Sequence, residues 1–101
     1  DENLVSDERF AQMYVRTRMR RLFGPLKIRA ELRQRGVDDG AITAAMPADE
    51  SRWHDLAAQW AEKRYREPLD YNGRAKIYRS LVSRGFTHEQ ANAALDHCVA
   101  D

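Results

Sequence analysis

The 101-residue chain has one cysteine, three prolines and five glycines. A single thiol, Cys98, excludes an internal disulfide and leaves no thiolate cluster for structural zinc, which fits a reducing compartment. So little Gly and Pro excludes a turn-rich all-β chain and a flexible linker. No run approaches the roughly 18 apolar residues of a membrane span, and no signal peptide opens the chain. The first residue is Asp rather than Met, as expected of an excised fragment. Neither sign of charge dominates: 17 Lys plus Arg stand against 16 Asp plus Glu.

Hydrophobic residues make up 43% and charged residues 33%, too apolar for a disordered tail. A chain of this size buries roughly two-thirds of its unfolded surface, enough for a modest core. The near-neutral total hides a lopsided distribution. From Arg16 to Arg35 there are eight basic residues and one acid, Glu31; from Lys63 to Arg84 there are seven against Glu67 and Asp70. Acids gather at the start, at Asp38 and Asp39, and at Asp49 and Glu50. Clustered charge of this kind acts on a partner within a Debye length, whatever the net charge.

An internal repeat is the most informative feature. At an offset of 49, Gly24 pairs with Gly73, Lys27 with Lys76, Ile28 with Ile77, Leu32 with Leu81, Arg35 with Arg84 and Gly36 with Gly85. Val37 then pairs with Phe86, Ala45 with Ala94 and Met46 with Leu95. The shared pattern is G-x-x-K-I-x-x-x-L-x-x-R-G-φ, where φ is apolar. Such a period signals stacked supersecondary units. The expected fold is all-α: two tandem three-helix repeats, residues 1–47 and 48–101, in an elongated right- or left-handed helical array.

In the first repeat, Ser6 or Asp7 is placed to cap a helix running to about Phe23, with Phe10, Met13, Tyr14 and Thr17 as its apolar stripe. Gly24-Pro25 breaks it, Gly in a left-handed C-terminus and Pro in the next first turn. The second helix carries Ile28 and Leu32 and stops at Gly36. The third begins after Asp38, presents Ala41, Ile42, Ala45 and Met46, and ends before Pro47. In the second repeat, Trp53, Leu56, Ala57, Trp60 and Ala61 have helical spacing. A looser segment from Arg66 to Tyr71 leads to a helix bearing Ile77 and Leu81, ended by Gly85. Thr87 and Gln90 form a capping box for a last helix that turns Ala91, Ala94, Leu95 and Cys98 inward. Trp53 and Trp60 either sit at the junction of the repeats or pack within their own; the spacing favours the second.

No catalytic set converges. There is no phosphate-cradling glycine loop and no nucleophile elbow. His54, His88 and His97 are scattered, and none has a second ligand type at zinc-binding spacing. Asp38 and Asp39 start a helix, where the dipole favours them without catalysis. No enzyme activity, metal or cofactor is expected. Among the cations, Arg16, Arg20, Lys27 and Arg33 point outward, Arg29 lies at the border, Arg18 and Arg21 flank the stripe, and Arg35 lies on the buried side. Arg35 and Arg84 serve the last carbonyls of their helices. A solvated charged face is the bland explanation of such runs, but an ordinary surface mixes signs. Two readings remain open. One is a helix-turn-helix DNA-binding module, although its third helix offers Asp39, Gly40, Thr43 and Ala44 and so only phosphate contacts from Arg16, Arg20 and Lys27. The other is an extended protein-binding surface with a basic stripe.

The stretches Ser6-Asp7-Glu8-Arg9-Phe10-Ala11, Tyr14-Val15-Arg16 and Gly24 through Val37, with the G-P-x-x-I-x-x-E-L-x-x-x-G pattern, closely resemble the bacterial RecX family. Ala75 through Phe86 resembles that family's last repeat. The resemblance covers nearly the whole chain and is looser from Ala48 to Asn72. It implies a cytoplasmic bacterial modulator, mainly an inhibitor, of the RecA recombinase in DNA repair. Family members lie in the groove of the RecA–DNA filament and suppress ATPase, strand exchange and co-protease activity. Implied partners are the RecA filament and single- or double-stranded DNA, with a monomeric chain and no membrane. Members usually carry three tandem repeats, so the first is expected to be missing here. The contact residues expected on this basis are Arg16, Arg20, Lys27, Arg29, Arg33, Lys76 and Arg79.

Overall fold

Helical periodicity is realised as six α-helices, with no strand among the described residues: α1 (Glu2–Arg20), α2 (Pro25–Gln34), α3 (Asp39–Ala45), α4 (Glu50–Arg64), α5 (Tyr71–Ser83) and α6 (His88–Val99). The computed structural model describes the backbone of residues 2–64 and 71–99, and side chains of 8–64 and 71–98. The expected loose segment at 66–71 thus falls almost wholly outside the described residues. Helices pack within triplets, α1 on α3 with α2 against both, and α4 on α6 with α5 against both. The molecule is 55 × 22 × 18 Å with a radius of gyration of 15.3 Å. A compact chain of this length has about 13 Å, so the triplets lie end to end.

Each start and stop has a local cause. Asp38 caps α3, its Oδ1 accepting from the amides of Gly40 at 2.7 Å and Ala41 at 3.4 Å. Thr87 and Gln90 cap α6 reciprocally: the Gln90 amide donates to Thr87 Oγ1 at 3.1 Å and the Thr87 amide to Gln90 Oε1 at 3.0 Å. Asp49 Oδ1 accepts from the Ser51 amide and hydroxyl at the start of α4. Gly36 and Gly85 end α2 and α5 with φ of +84° and +98°, conformations that L side chains rarely adopt.

Helix α1 departs from its expected form in three ways. It starts at Glu2, so Ser6 and Asp7 lie in its second turn and not at its cap. It buries Ala11, Val15 and Met19, whereas Phe10 is 39% and Met13 66% exposed. Small and slender side chains face α3, and Phe10 and Tyr14 meet at the edge with their rings tilted by 40° and centroids 5.6 Å apart. Finally, the left-handed residue that ends α1 is Leu22 (φ 63°), not Gly24. Leu22 N donates to Met19 O at 2.9 Å and Phe23 N to Arg18 O at 3.1 Å, a Schellman motif. Left-handed backbone costs Leu about 1–2 kcal/mol; its side chain is buried in return.

Gly24 is extended instead (φ −91°, ψ 170°) and caps α2 without a side chain. Its glycine is needed for another reason. The Gly24 amide donates to Arg84 O at 2.8 Å and the Leu26 amide to Gly85 O at 2.9 Å, joining the two triplets backbone to backbone. A Cβ on Gly24 would overlap Gly85 and Phe86, standing 2.5 Å from Gly85 O; one on Gly85 would stand 2.5 Å from Lys27 N. Gly36, the repeat equivalent of Gly85, has nothing within 4 Å of such a carbon. Buried side chains form one continuous cluster from Ala11 through Leu95.

Gly24→Ala should therefore cost about 3 kcal/mol by forcing the triplets apart, although its φ suits alanine. Gly36→Ala, with strain but no clash, should cost about 1 kcal/mol. Urea unfolding midpoints check the order; a larger loss at Gly36 contradicts the crossing.

Candidate cationic interface

The seven expected contact residues do not share one face. Arg16 is exposed beside a shallow cleft of about 220 Å³ with Met19, Ala45, Pro47 and Arg52, and Arg20 is exposed one turn on. Lys27 is half-buried, its Nζ 5.6 Å from the Phe23 ring centroid. Arg29 lines a groove of about 460 Å³ between the triplets, opposite Glu50, Trp53 and Gln90. Arg33 is paired with Asp39 at 2.9 Å. Lys76 is exposed, and Arg79 borders a pocket of about 310 Å³ with Tyr71, Arg74 and Tyr78. At about 100° per residue, Arg16 and Arg20 leave α1 on the opposite side of its buried line from Tyr14 and Arg18.

That other side holds what the sequence reading missed. Arg18 and Arg35 lie over Tyr14 at 5.3 and 5.2 Å from its centroid. Arg64 and Arg84 lie over Trp60, both at 3.8 Å. Phe23 joins the two sets, with Arg18 at 4.6 Å and Arg84 at 4.1 Å. The result is a ladder, Arg35–Tyr14–Arg18–Phe23–Arg84–Trp60–Arg64, that crosses the junction. Each cation–π contact contributes about 0.5–1 kcal/mol where exposed and more where water is excluded.

Arg35 is exposed, not buried as expected, because α2 ends at Gln34 and the unwound cap turns its side chain to Tyr14. Arg84 does not serve its own helix. Its Nε donates to Leu22 O at 2.9 Å and its Nη2 to Arg21 O, satisfying the C-terminal carbonyls of α1 across the junction. Burial depresses its pKa, and the positive charges of Arg64 and Arg18 depress it further. It stays protonated at neutral pH. Arg18 shifts the other way. Its hydrogen bond to the Tyr14 hydroxyl raises it most, burial opposes, and Glu31 adds to the rise. Tyr14 donates to Glu31 Oε1 at 2.8 Å, and Arg18 reaches Glu31 through Nε at 3.1 Å and Nη2 at 3.0 Å.

The missed signal was aromatic-x-x-x-Arg, present as Tyr14–Arg18 and Trp60–Arg64. Those pairs match at an offset of 46, as do the buried Ala11 and Ala57, and Val15 and Ala61. Searching only at 49 hides them. Trp60 packs within its own triplet, donating to Ser80 Oγ at 2.7 Å, whereas Trp53 lines the groove between triplets. Of the histidines, His88 stacks on Tyr78 and His97 meets Glu62 at 2.9 Å. No group of three or more His, Cys, Asp or Glu placed to hold a metal occurs among the described residues, and no helix there is long and apolar enough to cross a membrane.

Two joined three-helix units with cations on both flanks define a tandem helical-repeat protein. Family comparisons agree with that class. Residues 6–46 match the model of the RecX second three-helix domain, and residues 50–95 that of the third. The chain is 46% identical over 98 residues to "Regulatory protein RecX" of Chromohalobacter salexigens, covering 96% of this chain and 64% of the relative. It is 39% identical over 90 residues to that of Yersinia pseudotuberculosis (87% and 50%) and 38% over 99 residues to that of Yersinia enterocolitica (96% and 59%). The chain belongs to the RecX family. It spans between half and two-thirds of the length of these relatives.

Arg84→Lys keeps the charge but gives up the two-pronged donation, and should cost about 1.5–3 kcal/mol. Arg35→Lys, at the exposed repeat equivalent, should cost within about 0.5 kcal/mol. Equal losses in urea unfolding would remove the clamp role from Arg84.

Proposed function

We propose that this chain regulates the RecA recombinase by lying along the RecA–DNA filament and slowing its ATPase, strand exchange and co-protease activity. The observation that carries this reading is the shape: a 55 Å rod with cations along both flanks. A rod reaches several subunits of a polymer at once, and linked contacts raise effective concentration. The relatives' name, Regulatory protein RecX, supports a regulatory role. Arg16 and Arg20 act from one side of α1, Lys27 and Arg29 from the junction, Arg33 from the outer end of α2, and Lys76 and Arg79 from the body of α5. Holding two RecA subunits in fixed relation opposes the rearrangement that each ATP cycle needs.

The helix-turn-helix alternative gains no observation. Asp39, Gly40, Thr43 and Ala44 are the exposed residues in the body of α3, without Arg, Lys, Asn or Gln for base edges. A regulator that binds the filament should prefer RecA-coated over bare DNA at one salt concentration. Reversing Arg16, Arg20 and Arg79 to Glu, all exposed, should weaken filament binding and flatten its salt dependence. Wild-type inhibition of RecA ATPase by that folded variant contradicts the proposed contacts.

A further inference from the structure

The two units repeat more than their helices. In each, an aromatic residue of the first helix carries two arginines, one from four residues on and one from the end of the second helix. The polar edge of the ring meets a residue at one fixed position of that second helix. In the first unit that residue is Glu31, which accepts from Tyr14 and Arg18. In the second it is Ser80, which accepts from Trp60 Nε1 at 2.7 Å. Glu31 and Ser80 match at the same offset of 49 that pairs Arg35 with Arg84.

The exchange of Glu for Ser leaves an electrostatic difference. Arg18 and Arg35 surround a ring whose network includes a carboxylate. Among the described residues, Arg64 and Arg84 surround one whose network holds a hydroxyl and the uncharged carbonyls of Arg21 and Leu22. Neither Arg64 nor Arg84 has an ion pair among the described residues. After burial, the positive charges of Arg64 and Arg18 bear on Arg84 among the described residues. Arg64 is exposed, and Trp60 and Ser80 are half-buried, so the place is open to a partner. A preorganised guanidinium pair over one ring, without a counter-charge among the described residues, fits a planar oxyanion.

We propose that Arg64, Arg84 and Ser80 form a receptor site for a carboxylate side chain from an acidic segment of a partner protein, which takes the place that Glu31 holds in the first unit. A carboxylate, and not a nucleic-acid phosphate, is the choice because the equivalent site is already satisfied by one. The rings are covered by guanidinium groups, which leaves no free aromatic face on which a base stacks. The site deepens the regulatory reading by naming what the regulated protein offers, yet its test does not depend on RecA.

Ser80→Glu supplies the missing carboxylate from within and makes the chain its own competitor. A glutamate-rich peptide titrated into the 101-residue chain should change Trp60 fluorescence. Ser80→Glu should raise the melting temperature and weaken that binding about tenfold, the effect of one lost charge-assisted contact. Arg64→Gln, at an exposed helix end, should weaken binding while the fold is kept, and so serves if Ser80→Glu does not fold. No fluorescence response to the peptide, or one unchanged in Ser80→Glu and Arg64→Gln, overturns the site. A thymidine oligonucleotide of matched charge that binds there more tightly overturns the choice of carboxylate. A positive peptide result beside absent RecA inhibition keeps the site and rejects the RecA reading; the reverse rejects only the site.

Discussion

Two glycines, Gly24 and Gly85, meet backbone to backbone, and the rest of the structure depends on that contact. A three-helix unit of under fifty residues buries too little surface to be secure alone. Here the turn between α1 and α2 presses on the turn between α5 and α6, so the peptide groups of each find partners in the other. Side chains at the crossing would hold the units apart. With only hydrogen atoms there, Arg84 can reach over to the end of α1 and close it.

The aromatic–arginine ladder follows from the crossing. Phe23 stands between Arg18 of one unit and Arg84 of the other, so the two internal stacks merge into one row. Burial, and after it the repulsion of like charges brought this close, depress the proton affinity of Arg84. The row persists because each guanidinium lies on a ring, and because Arg18 has Glu31 and Arg84 has carbonyl oxygens. A rod built in this way holds its cations at fixed spacing.

Much of the fold was legible in the sequence because local signals agreed: glycine stops at Gly36 and Gly85, caps at Asp38 and Thr87, and helical spacing in α4. The stripe of α1 was misread because aromatic residues outweigh alanine in any hydrophobicity pattern. Close helix packing selects the small Ala11 and leaves Phe10 at the edge. Gly24 was read as a turn former, since nothing local distinguishes a glycine needed for φ from one needed for a distant backbone. The candidate site was less legible. Arg84 touches residues more than sixty positions away, and its partners are backbone atoms that carry no sequence signature. Its mate Arg64 is visible only at the second offset, 46.

Joined at Gly24 and Gly85, the two units form one rigid body. Spin labels at the exposed Thr43 of α3 and Asp96 of α6, with Cys98 replaced by Ala, report the distance between units by dipolar spectroscopy. A rigid junction predicts a single narrow distance distribution. A broad or two-peaked distribution in the otherwise unaltered chain, showing units that swing independently, would contradict it.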